Sequence, residues 1–289
     1  MNRKLIVIGS KGFIGKHLTA SLNPAIYTHH KGSPYLINLN APNLKPLPLS
    51  TETHAIIAAG CANINDCNKR PEETYAINVA GTLHLAKQCT EMGLFPILFS
   101  TDYVFDGKEG GYTESSPTSP INAYGKQKAE LEERIHDATG GNYLMLRLSK
   151  IYSTSIGDDS LLDEMMQTLI QGRTVRAATD QVFCPLHIND LVSIIQELID
   201  QKITGLINIG GKETLSRYAL ALDVCESLNV SKVFIEPISL DELEGDPRPK
   251  KTALNCKKLY ETIGIEPQSL QSSISTLAAD YLNEDFLLN

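Results

Sequence analysis

A short apolar run, Lys4 to Ile8, ends in the turn Gly9-Ser10-Lys11-Gly12-Phe13-Ile14-Gly15 and continues into a helical pattern from Phe13 to Leu22. Few folds begin with a buried strand, a glycine-spaced turn and a helix in that order. Gly9 is expected to make the tight turn, Gly12 to let an anionic group approach the backbone, and Gly15 to let the helix lie close on the strand. The amides and dipole at the start of such a helix favour a phosphate. The opening therefore predicts a dinucleotide-binding unit with Gly9, Gly12, Phe13, Ile14 and Gly15 at the cofactor. The spacing is Gly-x-x-Gly-x-x-Gly rather than Gly-x-Gly-x-x-Gly. A turn whose glycines serve packing alone is the plainer alternative, and it does not account for the order of the three elements.

Strand-like runs then alternate with helical patterns. Ala25 to Thr28, Tyr35 to Leu39, His54 to Ala59, Phe95 to Phe99 and Tyr143 to Leu148 read as strands. Pro71 opens a long helix with Tyr75, Val79, Leu83 and Ala86 on one face, closing near Gly93, and a second helix runs from Ala123 to His136. This alternation predicts an α/β fold, a doubly wound parallel sheet of Rossmann type, with ligands beyond the carboxyl ends of the strands. Residues 1–150 are expected to form the dinucleotide-binding domain, with 185–210 returning to it. Residues 151–184 and 211–289 are expected to form mainly a smaller, discontinuous substrate-binding lobe.

Charge and cysteine content narrow the function classes. With 26 Lys and Arg against 34 Asp and Glu, the net charge of −8 leaves no basic surplus for a nucleic-acid partner. No apolar run reaches membrane-spanning length, and Met1 leads directly into the first strand, so a cytoplasmic protein without membrane association is expected. Cys61, Cys67, Cys89, Cys184, Cys225 and Cys256 include no Cys-x-x-Cys pair and read as reduced, mostly buried thiols.

Candidate chemistry gathers around Tyr124-Gly125-Lys126-Gln127-Lys128. Tyr124 and Lys128 are four apart in a helical run and project from one face. An ammonium beside a phenol favours the phenolate, so the pair predicts a tyrosine with a lowered pKa that serves as a general acid or base. Ser100-Thr101-Asp102 falls at the carboxyl end of a strand, on the edge where the glycine turn lies. Asp102 either tunes such a site or caps the turn after the strand.

Together these residues resemble the extended short-chain dehydrogenase/reductases over nearly the whole chain. The string Phe99-Ser100-Thr101-Asp102-Tyr103-Val104-Phe105-Asp106-Gly107 is similar to the dTDP-4-dehydrorhamnose reductase branch. Pro120-Ile121-Asn122-Ala123-Tyr124-Gly125, Asp180-Gln181, Arg248-Pro249 and Ala253-Leu254-Asn255 agree with it, and Asn78 matches the wider superfamily. Two segments depart from the branch: Val182-Phe183-Cys184-Pro185 after the Asp-Gln pair, and Arg147-Leu148-Ser149-Lys150-Ile151-Tyr152.

The resemblance implies a reductase of the 4-keto group of a nucleotide-linked deoxysugar in surface polysaccharide precursor synthesis. Tyr124 would protonate the carbonyl oxygen, Thr101 would hydrogen-bond it, and Lys128 would serve both tyrosine and nicotinamide ribose. Ala58, Ala59, Gly60 and Asn78 would join the cofactor contacts, and Thr101, Asp102 and Arg248 would touch substrate. At the end of the second strand stands Tyr27-Thr28-His29-His30-Lys31, without an acid, so His29 and Lys31 favour NADPH, with NADH the alternative. Adjacent His29 and His30 point to opposite faces of an extended segment, and no metal site is expected. Arg147, Arg173, Arg176 and Arg217 join Arg248 as candidates for the substrate diphosphate. The alternatives are a nucleotide-sugar epimerase of the same superfamily and a non-catalytic NADP-binding subunit similar to the regulatory subunit of methionine adenosyltransferase. The resemblance also allows a homodimer.

Overall fold

The computed structural model describes residues 5–28, 35–49 and 53–283. The chain enters β1 (Leu5–Ile8), buried at every position, and α1 (Phe13–Leu22). β2 (Ile26–Thr28), β3 (His54–Ile57), α2 (Ile64–Lys69), α3 (Pro71–Tyr75) and α4 (Thr82–Glu91) follow. Next come β4 (Phe95–Thr101), α5 (Ala123–Thr139) and β5 (Leu144–Leu148). Pairings β1–β2, β1–β3, β3–β4 and β4–β5 are all parallel. With the strand Gly205–Ile209 beyond β5, the six-stranded order is Gly205–Ile209, β5, β4, β3, β1, β2. The sheet thus winds away from β1 in both directions, as a doubly wound fold does. Both faces are covered, which is why these strands read as unbroken apolar runs rather than alternating ones. β4 accommodates Pro96 because its pairing with β5 starts one residue later, at Ile97.

Two expectations are corrected. Tyr35 to Leu39 is irregular rather than a strand, although Ile37 and Leu39 bury their side chains in the core of the sheet. Gln88 of α4 anchors the following stretch, accepting from the Leu44 amide at 2.9 Å and donating to the Pro42 carbonyl at 2.8 Å. The long helix from Pro71 is interrupted: α3 and α4 are joined by a π-helical stretch, Ala76–Gly81. α2 precedes it, capped by Asn63, whose side chain accepts from the Asp66 amide at 3.0 Å. Its composition is too polar to show an apolar stripe.

Two compact units emerge. One comprises the chain up to Phe105, Pro117–Leu148 and Ile195–Ile207; the other holds Asp106–Ser116, Ser149–Ile194 and the chain from Asn208 onward. Within the second unit Val175–Ala178 pairs in parallel with Ile235–Ile238, and Val182–Phe183 antiparallel with Leu215–Ser216. Its core is formed by side chains such as Leu162, Met166, Leu220, Val224, Ile274 and Leu277.

The glycine turn explains how α1 lies so near β1. A Cβ at Gly15 would stand 2.0 Å from the Gly9 carbonyl oxygen, whereas one at Gly12 would meet nothing nearer than 3.6 Å. Gly15→Ala is expected to lower the unfolding free energy by about 1–3 kcal/mol, and Gly12→Ala by far less. Urea-denaturation midpoints measured side by side check this, and equal midpoints would contradict the close packing of helix on turn.

Candidate functional site

At the carboxyl edge of the sheet, the backbone itself builds a shelf. The amides of Gly9 and Ser10 donate to the Thr28 carbonyl at 2.9 and 3.0 Å, and the Ala58 amide donates to Ile8 at 2.8 Å. Gly9 has φ +93°, and a Cβ there would come within 2.5 Å of the Ala59 nitrogen. The glycine turn and the end of β3 are therefore held against each other. Gly12 and Gly60 are exposed on this edge, and Phe13, Ile14, Ala58 and Ala59 are partly exposed. Gly12 is the N-cap of α1, no side chain caps it, and no acid occupies the first turn. Such a helix start is suited to an anion. His29 and Lys31 lie outside the described residues.

Asn78 sits in the π-helical stretch and is buried. Its side chain accepts from the Cys61 amide and donates to the Cys61 carbonyl, both at 2.8 Å, so one residue clamps the loop leaving β3. Its amide nitrogen also donates to Gln127 Oε1 at 2.8 Å, and Gln127 donates in turn to Thr74 Oγ1 at 2.9 Å. Cys67 Sγ lies 4.0 Å from Cys61 Sγ beside this network. All six cysteines are free thiols, with Cys61 half-buried and the others buried.

Thr101, Tyr124 and Lys128 come together. α5 begins beside the turn after β4: a Cβ at Gly125 would lie 2.1 Å from the Tyr103 carbonyl oxygen. Asn122 caps the helix by accepting from the Gly125 amide at 2.8 Å. Tyr124 hydrogen-bonds with Thr101, and the Tyr103 and Tyr124 rings meet edge-to-face with centroids 6.5 Å apart. Thr101 Oγ1 donates to Asp102 Oδ1 at 3.2 Å and accepts from the Tyr103 amide at 3.3 Å. Asp102, 5% exposed, opens the short 3₁₀ turn Asp102–Val104, so it both faces Thr101 and shapes the turn.

The expected lowering of the Tyr124 pKa is reversed. Burial pushes it up, the nearby Asp102, Cys67 and Tyr103 add to the rise, and only the hydrogen bond with Thr101 opposes it. Lys128 directs its ammonium to the Phe99 carbonyl at 2.9 Å. Burial lowers Lys128 to about 8, against the opposing pull of Cys67 and Glu132. The site thus holds a protonated phenol, a hydroxyl and a cation held at the edge of deprotonation.

The arginine candidates separate clearly. Arg147 is 1% exposed and is no diphosphate ligand. Its Nε and terminal nitrogen donate to the two oxygens of Glu132 at 3.0 and 2.6 Å. Arg176 pairs with Glu236 at 3.6 Å, and Arg173 donates to Gln171 Oε1 at 2.6 and 2.9 Å. Arg217 starts a helix, Arg217–Ser227. Arg248 is half-buried on the loop before Pro249, and Lys251, two residues beyond that proline, donates its amide to the Gly107 carbonyl at 2.8 Å. The roles of Gln127 and Glu132 went unread in the sequence. Glu132 stands four residues beyond Lys128, a spacing that places it on the same helical stripe. Among the described residues, no cluster of three His, Cys, Asp or Glu side chains could hold a metal ion, and no helix is long and apolar enough to cross a membrane.

Comparison with known proteins gives the family. Methionine adenosyltransferase 2 subunit beta of Rattus norvegicus is 30% identical over 226 residues, which cover 74% of this chain and 66% of that one, just under two thirds of its length. The dTDP-4-dehydrorhamnose reductase of Sinorhizobium fredii is 27% identical over 296 residues, covering 95% of this chain and 96% of that one. The crystal structure of dTDP-4-dehydrorhamnose reductase from Bacillus anthracis in complex with NADP superposes with a TM-score of 0.83 at 22% identity, covering 97% of this chain and 100% of that one. At that identity the likeness speaks to the fold alone. The RmlD substrate binding domain model matches residues 3–283. With that match spanning almost the entire sequence, the chain belongs to the RmlD substrate binding domain family, a branch of the extended short-chain dehydrogenase/reductases.

Proposed function

We propose that this protein is an NADPH-dependent reductase of a nucleotide-activated 4-keto sugar, resembling the dTDP-4-dehydrorhamnose reductases. The observation that carries the reading is the meeting of Thr101, Tyr124 and Lys128 at the end of β4, with the tyrosine kept protonated. Reduction of a carbonyl places negative charge on oxygen, which needs a donor and a proton source already in position. Thr101 would donate to that oxygen and Tyr124 would deliver the proton. A tyrosine whose burial raises its pKa starts the reaction loaded, and Lys128 would stabilise the phenolate left behind.

Bound NADPH would supply the hydride. The uncapped start of α1 and the exposed Gly12 suit its diphosphate, and Phe13, Ile14, Ala58, Ala59 and Gly60 would line the same edge. His29 and Lys31, which follow β2 in the sequence, would receive the ribose 2′-phosphate. Asn78 would act by holding the Cys61 loop rather than by touching the dinucleotide. Arg248 would take the substrate diphosphate, and Asp102 a sugar hydroxyl. A second reading is a non-catalytic dinucleotide-binding subunit, favoured by the 30% identity to methionine adenosyltransferase 2 subunit beta.

A panel of 4-keto nucleotide sugars with NADPH and NADH separates the two readings. The reductase consumes NADPH faster than NADH with at least one of them, and a protein that binds NADPH but reduces none would favour the subunit. Tyr124→Phe is expected to fold and bind NADPH normally while turnover falls about 10²–10⁴-fold; retention of more than a tenth of the rate would remove Tyr124 from the acid role.

The rate should also fall as pH rises through about 8, where Lys128 loses its proton. Cys67 and Glu132, which face it, both favour its charged form. A rate that is flat from pH 7 to about 10 would contradict a charged Lys128 at the site.

A further inference from the structure

Behind the candidate site lies a buried polar cluster that contacts neither of the proposed reacting groups. Glu132 is on α5, eight residues beyond Tyr124 and four beyond Lys128, on one stripe of the helix. Its side chain is only 9% exposed and the partnering Arg147 side chain 2%. Arg147 is on β5, directly beside Ser100 of β4 in the parallel register. Neighbours in register project to the same face of the sheet. Both reach Glu132: Arg147 through a two-pronged pair at 3.0 and 2.6 Å, and the Ser100 hydroxyl by donating to Oε1. The far side of the guanidinium lies over the Phe105 ring, 4.8 Å from its centroid. Phe105 follows the turn that carries Asp102 and Tyr103. One carboxylate therefore ties α5 to β4 immediately before Thr101, and through Arg147 to the residue immediately after the turn.

Along the same stripe, Lys128 makes the second tie, its ammonium on the Phe99 carbonyl at 2.9 Å. Phe99 and Ser100, the two residues preceding Thr101, are thus both fastened to α5. Surface ion pairs are too mobile to hold a geometry of this kind, but a desolvated, two-pronged pair with a third hydrogen bond has one arrangement.

We infer that Glu132 is a positioning residue for carbonyl reduction: with Ser100 and Arg147 it sets where Thr101 stands relative to Tyr124 and Lys128. This rests on the reductase reading for its kinetic consequence, and on the geometry alone for its structural one. Small misplacements of a donor or acid are costly because the reacting atoms tolerate little error.

The test compares wild type, Glu132→Gln and Ser100→Ala by steady-state kinetics and by hydrogen–deuterium exchange of the native protein. Gln keeps the volume and one acceptor but not the charged two-pronged pair; Ala at 100 removes the hydroxyl alone, so it keeps the test sound if the buried pair proves necessary for folding. In both variants, the turnover number is expected to fall at least about 10-fold, with Michaelis constants for sugar and NADPH within twofold of wild type. Amides of residues 101–105 should exchange faster while those of β1 and β3 are unchanged. A merely structural role would speed exchange throughout the sheet together, and that result would overturn the inference. So would wild-type turnover and exchange in both variants. A wild-type protein that reduces no nucleotide sugar, with variants that still loosen residues 101–105 alone, would keep the positioning role and overturn the reductase reading.

Discussion

The close docking of α5 against the carboxyl end of β4 is the constraint on which the candidate site depends. It needs a helix start without a side chain at Gly125, a cap from Asn122, and an ammonium and a carboxylate that find partners on the strand. The carboxylate, Glu132, is also one half of a buried ion pair with Arg147. A buried charge is stable only when fully paired, and leaving one partner alone is far more costly than removing both. The arrangement is therefore all-or-none, which suits the proposed site, where a hydroxyl and a phenol would reach one oxygen atom.

Electrostatics follow from the same burial. Desolvation penalises charge, so Tyr124 keeps its proton while Lys128 is brought to about 8. A lysine four residues along a helix from a tyrosine is often read as lowering the tyrosine pKa. Here Lys128 directs its ammonium to the Phe99 carbonyl, and burial is what sets the direction of the Tyr124 shift. For a proton donor this is the useful sign. The two groups become coupled once the proton leaves, when a phenolate would gain most from the nearby cation.

Much of the fold was legible because its signals are local. β1, the glycine turn and α1 follow one another in sequence, and parallel strands buried on both faces announce themselves as apolar runs. Tyr124 and Lys128 were legible for the same reason, as a spacing on one helix. What escaped was non-local. Tyr35 to Leu39 has a strand's composition, yet it buries Ile37 and Leu39 without joining the sheet. Arg147 looked like a ligand arginine, since nothing in a strand sequence shows that a glutamate from a neighbouring helix will meet it. The hydrogen bonds of Asn78 to the Cys61 backbone and Gln127 join segments far apart in the chain, and no local pattern announces them.

The central claim is that this site delivers hydride and proton to a sugar carbonyl. It is tested most directly by following the hydride. NADPH deuterated at the transferable position of the nicotinamide would be incubated with a dTDP-4-keto-6-deoxysugar, and the label located by NMR. The account predicts deuterium on C4 of the sugar, in equal amount to the NADPH consumed. A folded protein that binds NADPH yet returns the sugar unreduced and unlabelled, across the available 4-keto nucleotide sugars, would contradict it.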